Sequence, residues 1–361
     1  IVCEIPSGAA ADLWGRKRCM ILSNLCIAVS CVIMLFSKSF GWFAVSFAVQ
    51  ALGNNLNSGS EEALVYDSMK CLGQEEHYMG VYGRLNVLIE VAQGLATVAG
   101  GVLAEFSYFW CYAACVVIAV LALLPVLWMA EPPQCGKAAD TAGRSAKDAP
   151  AEGTPAQRTI WETVKHHFAV SACILQKDAR IGKIIGFYSV VFAAHTLLFF
   201  YSQQYFADFG YNKVQISVIM LLVGGASCLG ALASAKMYRR FGKRCLIPET
   251  VIIAAAILCY GSEKAGVAAA ALMCAGFANA ALYPVQSDSL NALIPSEQRA
   301  TLISVDSMCF SIAMIVLFPL AGAFADRWGL KTVLLLLGAI LLLFLLTVFC
   351  IEKESFSSDH S

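Results

Sequence analysis

Ten long apolar runs dominate the chain, at about 19–37, 41–67, 79–104, 107–130, 183–204, 214–236, 245–262, 265–288, 299–325 and 332–351. About 20 apolar residues in a helix cross the hydrocarbon of a bilayer. Backbone polar groups cannot be left unpaired there, so each run is expected to be a transmembrane helix. A shorter apolar stub at 1–11 begins without Met and reads as the last half of a further helix. The expected fold is therefore an all-α membrane protein, with one whole helix and part of the next missing before Ile1. Composition agrees: 59% of the residues are hydrophobic and 14% charged, where a soluble domain is nearer a quarter charged. The formal net charge is zero, which gives no pull towards nucleic acid. Fifteen cysteines are scattered singly, with no CxxC and no Cys/His cluster. They read as small apolar residues, and neither a metal nor a cofactor is expected.

Charge sets the orientation. Arg16, Lys17, Arg18, Lys70, Lys236, Arg239, Arg240, Lys243, Arg244, Arg299 and Lys353 fall in alternate loops, together with the basic residues of the central loop. The opposite side holds only Lys38, Lys213, Lys264, Arg327 and Lys331. The positive-inside rule places the first set in the cytoplasm.

The chain divides as an N-terminal transmembrane half (1–130), a connecting segment (131–181), a C-terminal transmembrane half (182–351) and a tail (352–361). Residues 131–157, rich in Ala, Pro, Gly and charge, read as a flexible linker. Ile160, Trp161, Val164, Phe168 and Leu175 then alternate with Lys165, His166, His167 and Lys177. That is the pattern of an amphipathic helix on the membrane surface; a solvated connector is the other reading. The two halves echo each other. Gly101-Val-Leu-Ala-Glu105 returns as Gly322-Ala-Phe-Ala-Asp326, 221 positions later, and Asp67 and Glu76 meet Asp288 and Glu297 at the same offset. Internal repeats of this kind build many secondary transporters.

The loop between the stub and the first full run reads Gly8-Ala-Ala-Ala-Asp12-Leu-Trp-Gly15-Arg16-Lys17-Arg18. This G-x-x-x-D-x-x-G-R-K-R pattern resembles the loop between helices 2 and 3 of the major facilitator superfamily, a large family of secondary transporters. The second copy, Lys236 to Arg244, has Arg239 in place of the aspartate and Ala235 in place of the first glycine. Glu4-Ile-Pro6-Ser-Gly8 and Ser58-Gly-Ser-Glu61-Glu62 look like a bacterial branch of that superfamily. The resemblance covers about Ile1 to Ile351 and implies twelve helices in two six-helix halves. Two of its signatures are incomplete: Phe47 stands where helix 4 usually has arginine, and Ala96-Thr97 where drug–proton antiporters have Gly-Pro. The resemblance implies that Gly8, Asp12, Gly15, Arg16 and Lys17 form a cytoplasmic latch between the halves. Asp12 can also cap the helix that follows it.

Ionisable groups within a bilayer are costly and face a cavity or a partner. Glu90 lies roughly midway along its run and is the first candidate to exchange a proton; permanent pairing with a neighbouring helix is the alternative. Asp306 is a shallower acid with the same two readings. Glu61, Glu62 and Arg84 lie at similar depth on adjacent helices, where an ion pair could switch with the transport cycle or simply hold the helices. Asn54, Asn57, Ser58 and Glu61 follow an i, i+3, i+4, i+7 spacing and share one face, which lines a cavity, bonds to other helices, or both. His195 falls mid-run, with Gln203 and Gln204 farther out. By the resemblance this helix lines the central cavity, so the three are candidate solute contacts, with His195 a candidate for proton contact too; a hydrogen-bonded packing residue is the other reading of His195.

No G-x-x-x-x-G-K-[ST] loop for ATP is present, and no catalytic set stands at membrane depth. The sequence therefore reads as a transporter and not an enzyme. It would move a small organic solute across the cytoplasmic membrane of a bacterium by alternating access, coupled to protons, with efflux preferred and a monomer as the working unit. A membrane sensor or scaffold that keeps the fold is the alternative.

Overall fold

The computed structural model describes residues 15–74, 78–129, 179–242, 246–293 and 299–358. The linker, the expected surface helix, Gly8 and Asp12 lie outside these residues. The described chain is helical, with no strand, and it forms two compact units, 1–166 and 167–361.

The first unit contains α1 (Arg16–Phe36), α2 (Phe40–Cys71), α3 (Tyr78–Phe106) and α4 (Tyr108–Trp128). α1 packs on both α2 and α4. Small residues make the α1–α2 contact possible. A Cβ on Gly53 of α2 would stand 3.0 Å from the Ser23 carbonyl oxygen of α1, and the buried Ser46 hydroxyl donates to the Ser30 carbonyl at 2.8 Å. This is how helices associate where lipid removes the hydrophobic drive: close backbones and a few interhelical hydrogen bonds. Ser107 accepts from the Phe109 amide and starts α4 one residue after α3 ends.

The second unit contains α5 (Ala179–Asp208), α6 (Lys213–Phe241), α7 (Leu246–Cys259), a 3₁₀ turn (Tyr260–Ser262), α8 (Ala265–Leu293), α9 (Arg299–Trp328) and α10 (Leu330–Ser358). Asn212 and Gln215 form a reciprocal cap at the start of α6. Gly242 ends that helix at φ 56°, a backbone region where glycine avoids the Cβ clash. A continuous apolar core joins α5, α7, α8 and α10 through Leu198, Phe206, Ile253, Ile257, Leu282 and Leu341. α6 meets α8 almost backbone to backbone: a Cβ on Gly230 would fall 2.1 Å from the Phe277 carbonyl oxygen, and Ser234 donates to the Ala281 carbonyl at 2.7 Å.

Every one of the ten apolar runs becomes a helix. Among the described residues seven helices are long and apolar enough to cross a membrane, and two shorter apolar helical segments, Val91–Phe106 and Ile247–Ser262, accompany them. The protein is a multi-pass membrane protein. The 221-residue repeat is also structural. Shifted by that offset, the starts of α2, α3 and α4 fall within four residues of the starts of α8, α9 and α10, and the ends of α2 and α3 fall within one residue of the ends of α8 and α9. α10 continues to Ser358, into the expected tail, because Glu352, Lys353 and Glu354 are good helix formers.

Candidate functional site

Short connections make successive helices of the second unit alternate in direction. The start of α5, the end of α6, the start of α7, the end of α8 and the start of α9 therefore share one side. It is the side marked by Arg239 and Arg240 in the last turn of α6. Gln286 lies seven residues before the end of α8 and Asp306 seven residues after the start of α9. At about 1.5 Å per residue both sit about 10 Å in from that end. The Gln286 amide nitrogen donates to both carboxylate oxygens of Asp306, at 2.9 Å each. Gln286 is only 2% exposed. Its own amide oxygen is buried with no partner.

Other polar atoms are sealed in this unit. His195 is sixteen residues into the 30-residue α5, and its Nε2 is buried without a hydrogen-bond partner. Asn279, at the middle of α8, has its side-chain oxygen in the same condition. So do both carboxylate oxygens of Glu249, 2% exposed in the first turn of α7. An unsatisfied buried polar group costs about 1–3 kcal/mol, so such groups need a reason to be kept. Pro284 lies between Asn279 and Gln286 and removes one backbone hydrogen bond from α8. The second unit can thus offer a carboxylate, amides and an imidazole at two depths in helices that are otherwise apolar.

The remaining sequence candidates scatter. Gly15 caps α1 at φ 92°, and Lys17 Nζ donates to the Leu127 carbonyl at the end of α4, 2.9 Å away. A cation at a helix C-terminus satisfies orphan carbonyls and the helix dipole, so Lys17 ties the loop to its own unit. Arg16 is half-buried beside it. Asn54 is exposed and Asn57 half-buried on α2, and Arg84 is exposed on α3. The side chains of Ser58, Glu61, Glu62 and Glu90 fall outside the described residues, although their helices are described. Gln203 is exposed, and Gln204 donates to Asp208 one turn on, at 2.8 Å. Asp306, in contrast, is brought to a side-chain partner on another membrane-crossing helix. The sequence reading missed that partner, Gln286, together with Asn279 and Glu249. Their one sequence signal is a polar side chain in an apolar run.

The family model of the Major Facilitator Superfamily matches residues 1–262 and again 250–359. Among solved structures, the nucleoside transporter NupG superposes with a TM-score of 0.70 at 15% identity, covering 98% of this chain and 88% of its own. The D-xylose–proton symporter gives 0.65 at 15% identity, covering 94% and 84%. The human organic anion transporter MFSD10 (TETRAN) gives 0.56 at 21% identity, covering 95% and 80%. At these identities the likeness is one of fold. No curated protein sequence matches the chain. With the family model matched across nearly all of its length, the chain belongs to the Major Facilitator Superfamily of secondary transporters.

Proposed function

We propose that the protein carries a small organic solute across the cytoplasmic membrane of a bacterium by alternating access, with protons as the coupling ion and efflux as the direction. The observation that carries this reading is the Asp306–Gln286 pair, an ionisable group held inside apolar helices by an amide partner. Such groups in membrane transporters mark ion and solute pathways. Glu90 is the candidate acid of the first unit. His195, Gln203 and Gln204 on α5, and Asn54, Asn57 and Ser58 on α2, are the proposed solute contacts. Gly8, Asp12, Gly15, Arg16 and Lys17 form the proposed cytoplasmic latch. Arg84 with Glu61 or Glu62 is the proposed switching pair. The protein works as a monomer.

The test is proton movement in proteoliposomes of the full chain, read with an entrapped pH dye against a broad panel of small organic compounds. Compound-dependent proton flux is expected from the parent. Asp306→Asn or Glu90→Gln is expected to abolish most of it, because an amide cannot take up and release the proton that a carboxylate can. Flux that persists in both variants would overturn these two acids as the coupling groups. No flux from folded protein with any compound would favour the sensor reading.

A further inference from the structure

We propose that Gln286 is the positioning residue of a proton-binding pair with Asp306, and that the pair links α8 to α9 differently in its charged and neutral forms. The inference rests on the proton-coupled reading above and adds a residue and a mechanism to it.

The pair is unevenly satisfied. One amide nitrogen donates to both oxygens of one carboxylate, while the amide oxygen beside it, buried, accepts from nothing. An ionised carboxylate can only accept hydrogen bonds, whereas a protonated one gains a single O–H donor. The observed arrangement therefore suits the charged acid and wastes one acceptor. When Asp306 takes a proton from water, a new O–H bond forms on one carboxylate oxygen. That O–H can donate to the idle Gln286 oxygen, while the Gln286 N–H keeps the other carboxylate oxygen. Rotation of the amide about its last single bond is enough to form this closed acid–amide ring. No buried group of the pair is then left without a partner. In a medium that penalises unpaired polar atoms, the amide makes the neutral state acceptable without making the charged one impossible.

The surroundings suit a proton site. α8 has no charged residue between Ala265 and Gln286, and α10 has none between Thr332 and Val348. α5, which packs on both α8 and α9, carries Lys183, Tyr188 and His195. Lys183 is exposed, nearer the basic end, and His195 lies deeper. On α9 itself Cys309 follows Asp306 by three residues, on the same side of the helix. Farther along α10, Glu352, Lys353 and Glu354 lie towards the basic end at about the depth of Asp306, and their side chains, like those of Arg180, Asp288 and Arg299, fall outside the described residues.

The pair also occupies a mechanically useful place. α9 leans mainly on α5 and α10, and α8 leans mainly on α6, α7 and α5. The Gln286–Asp306 bridge thus joins two helices whose packing lies elsewhere, two residues after the backbone bond lost at Pro284. A change from a forked, charge-assisted contact to a closed ring alters how far apart their ends are held.

Infrared difference spectra of the reconstituted full chain, taken between acid and alkaline pH with no solute added, test this directly. An acid carbonyl band at the position of a hydrogen-bonded acid is expected in the parent and absent in Asp306→Asn. In Gln286→Leu it should move to the higher wavenumber of a free acid. Gln286→Met, closer in shape, makes the same test if the leucine variant does not fold. A band that stays in place in folded Gln286 variants would overturn the role of Gln286. No Asp306-dependent band at any pH would overturn the pair altogether. If compound-dependent proton flux persists in that case, the proton-coupled reading stands without this site. A shifting band without flux for any compound would leave the pair intact and remove the transport reading.

Discussion

α2 and α8 occupy equivalent places in the two copies of the repeat, yet they present opposite chemistry. α2 carries Asn54, Asn57, Ser58 and Glu61; 221 positions on, α8 carries Ala275, Ala278, Asn279 and Leu282. Ala275, Ala278 and Leu282 are fully buried in the core of the second unit, while Asn54 is exposed and Asn57 half-buried. α3 and α9 show the reverse for acids. Asp306 of α9 corresponds to Leu85 of α3, and Glu90 of α3 to Ser311 of α9. The repeat has kept helix lengths and connections and let the ionisable groups diverge. A duplicated helix needs the same length and the same close-packing small residues in both copies, but a transported solute and its coupling ion need only one of each site.

Exchanging the two faces should give the largest effect. Ala278→Asn puts the α2 pattern into a site with 0% exposure. It combines overpacking with an unpartnered amide, together on the order of 3 kcal/mol or more. Loss of a folded, monodisperse second unit in size-exclusion and thermal unfolding assays is expected. The reciprocal Asn57→Ala should cost only about 0.6 kcal/mol, the mean for a hydrogen bond within a membrane, while lowering solute flux. Equal tolerance of both changes would show that the two faces are interchangeable and that α2 lines nothing.

Helix contact sharpens the same comparison at a smaller scale. Gly230→Ala drives a methyl into the Phe277 carbonyl of α8, 2.1 Å away, and only a backbone shift can relieve it. Gly53→Ala meets the Ser23 carbonyl of α1 at 3.0 Å, where a few tenths of an ångström suffice. Overpacking of this kind costs about 1–3 kcal/mol, so Gly230→Ala should unfold at clearly lower temperature than the parent, and Gly53→Ala should fall between the two. The opposite order would mean that α1–α2 is the stiffer of the two pairs.

Much of the fold could be read from the amino-acid sequence because a bilayer asks a simple question of it. Runs of apolar residues became helices, and the offset linking Gly101 to Gly322 proved to be the offset between whole helices. The site was less legible. Asp306 stood out as a charge in an apolar run, but its partner Gln286 is uncharged, follows a proline, and lies twenty positions away on another helix. Nothing in a one-dimensional pattern joins them. Glu249 was passed over because an acid after Pro248 in a first helical turn looks like an ordinary helix start; only packing reveals that both of its oxygens are sealed. For Arg84, Glu61 and Glu62 the sequence supplies depth alone. Similar distance along two helices does not specify which way each side chain points.

The smallest expected effect comes from the outer ends of the two units. In the second unit Glu263 accepts from Lys331 in an exposed ion pair. At the same places in the repeat the first unit has Trp42 and Trp110, both exposed and both of the type that anchors helices at the bilayer interface. The hydrogen bond from Lys331, and then its charge, hold the Glu263 carboxyl below the usual glutamate range. A carboxyl that is lowered in the folded state contributes stability above its unfolded value and loses that contribution as pH falls through the folded one. Thermal unfolding of the parent should therefore weaken slightly more than that of Glu263→Gln as pH drops through and below the glutamate range. Added salt should erase the difference, because exposed pairs are screened and weak. A difference that survives high salt would mean that the pair is shielded from water as the tryptophans are by lipid, and that the two units fasten their outer ends with comparable strength by different chemistry.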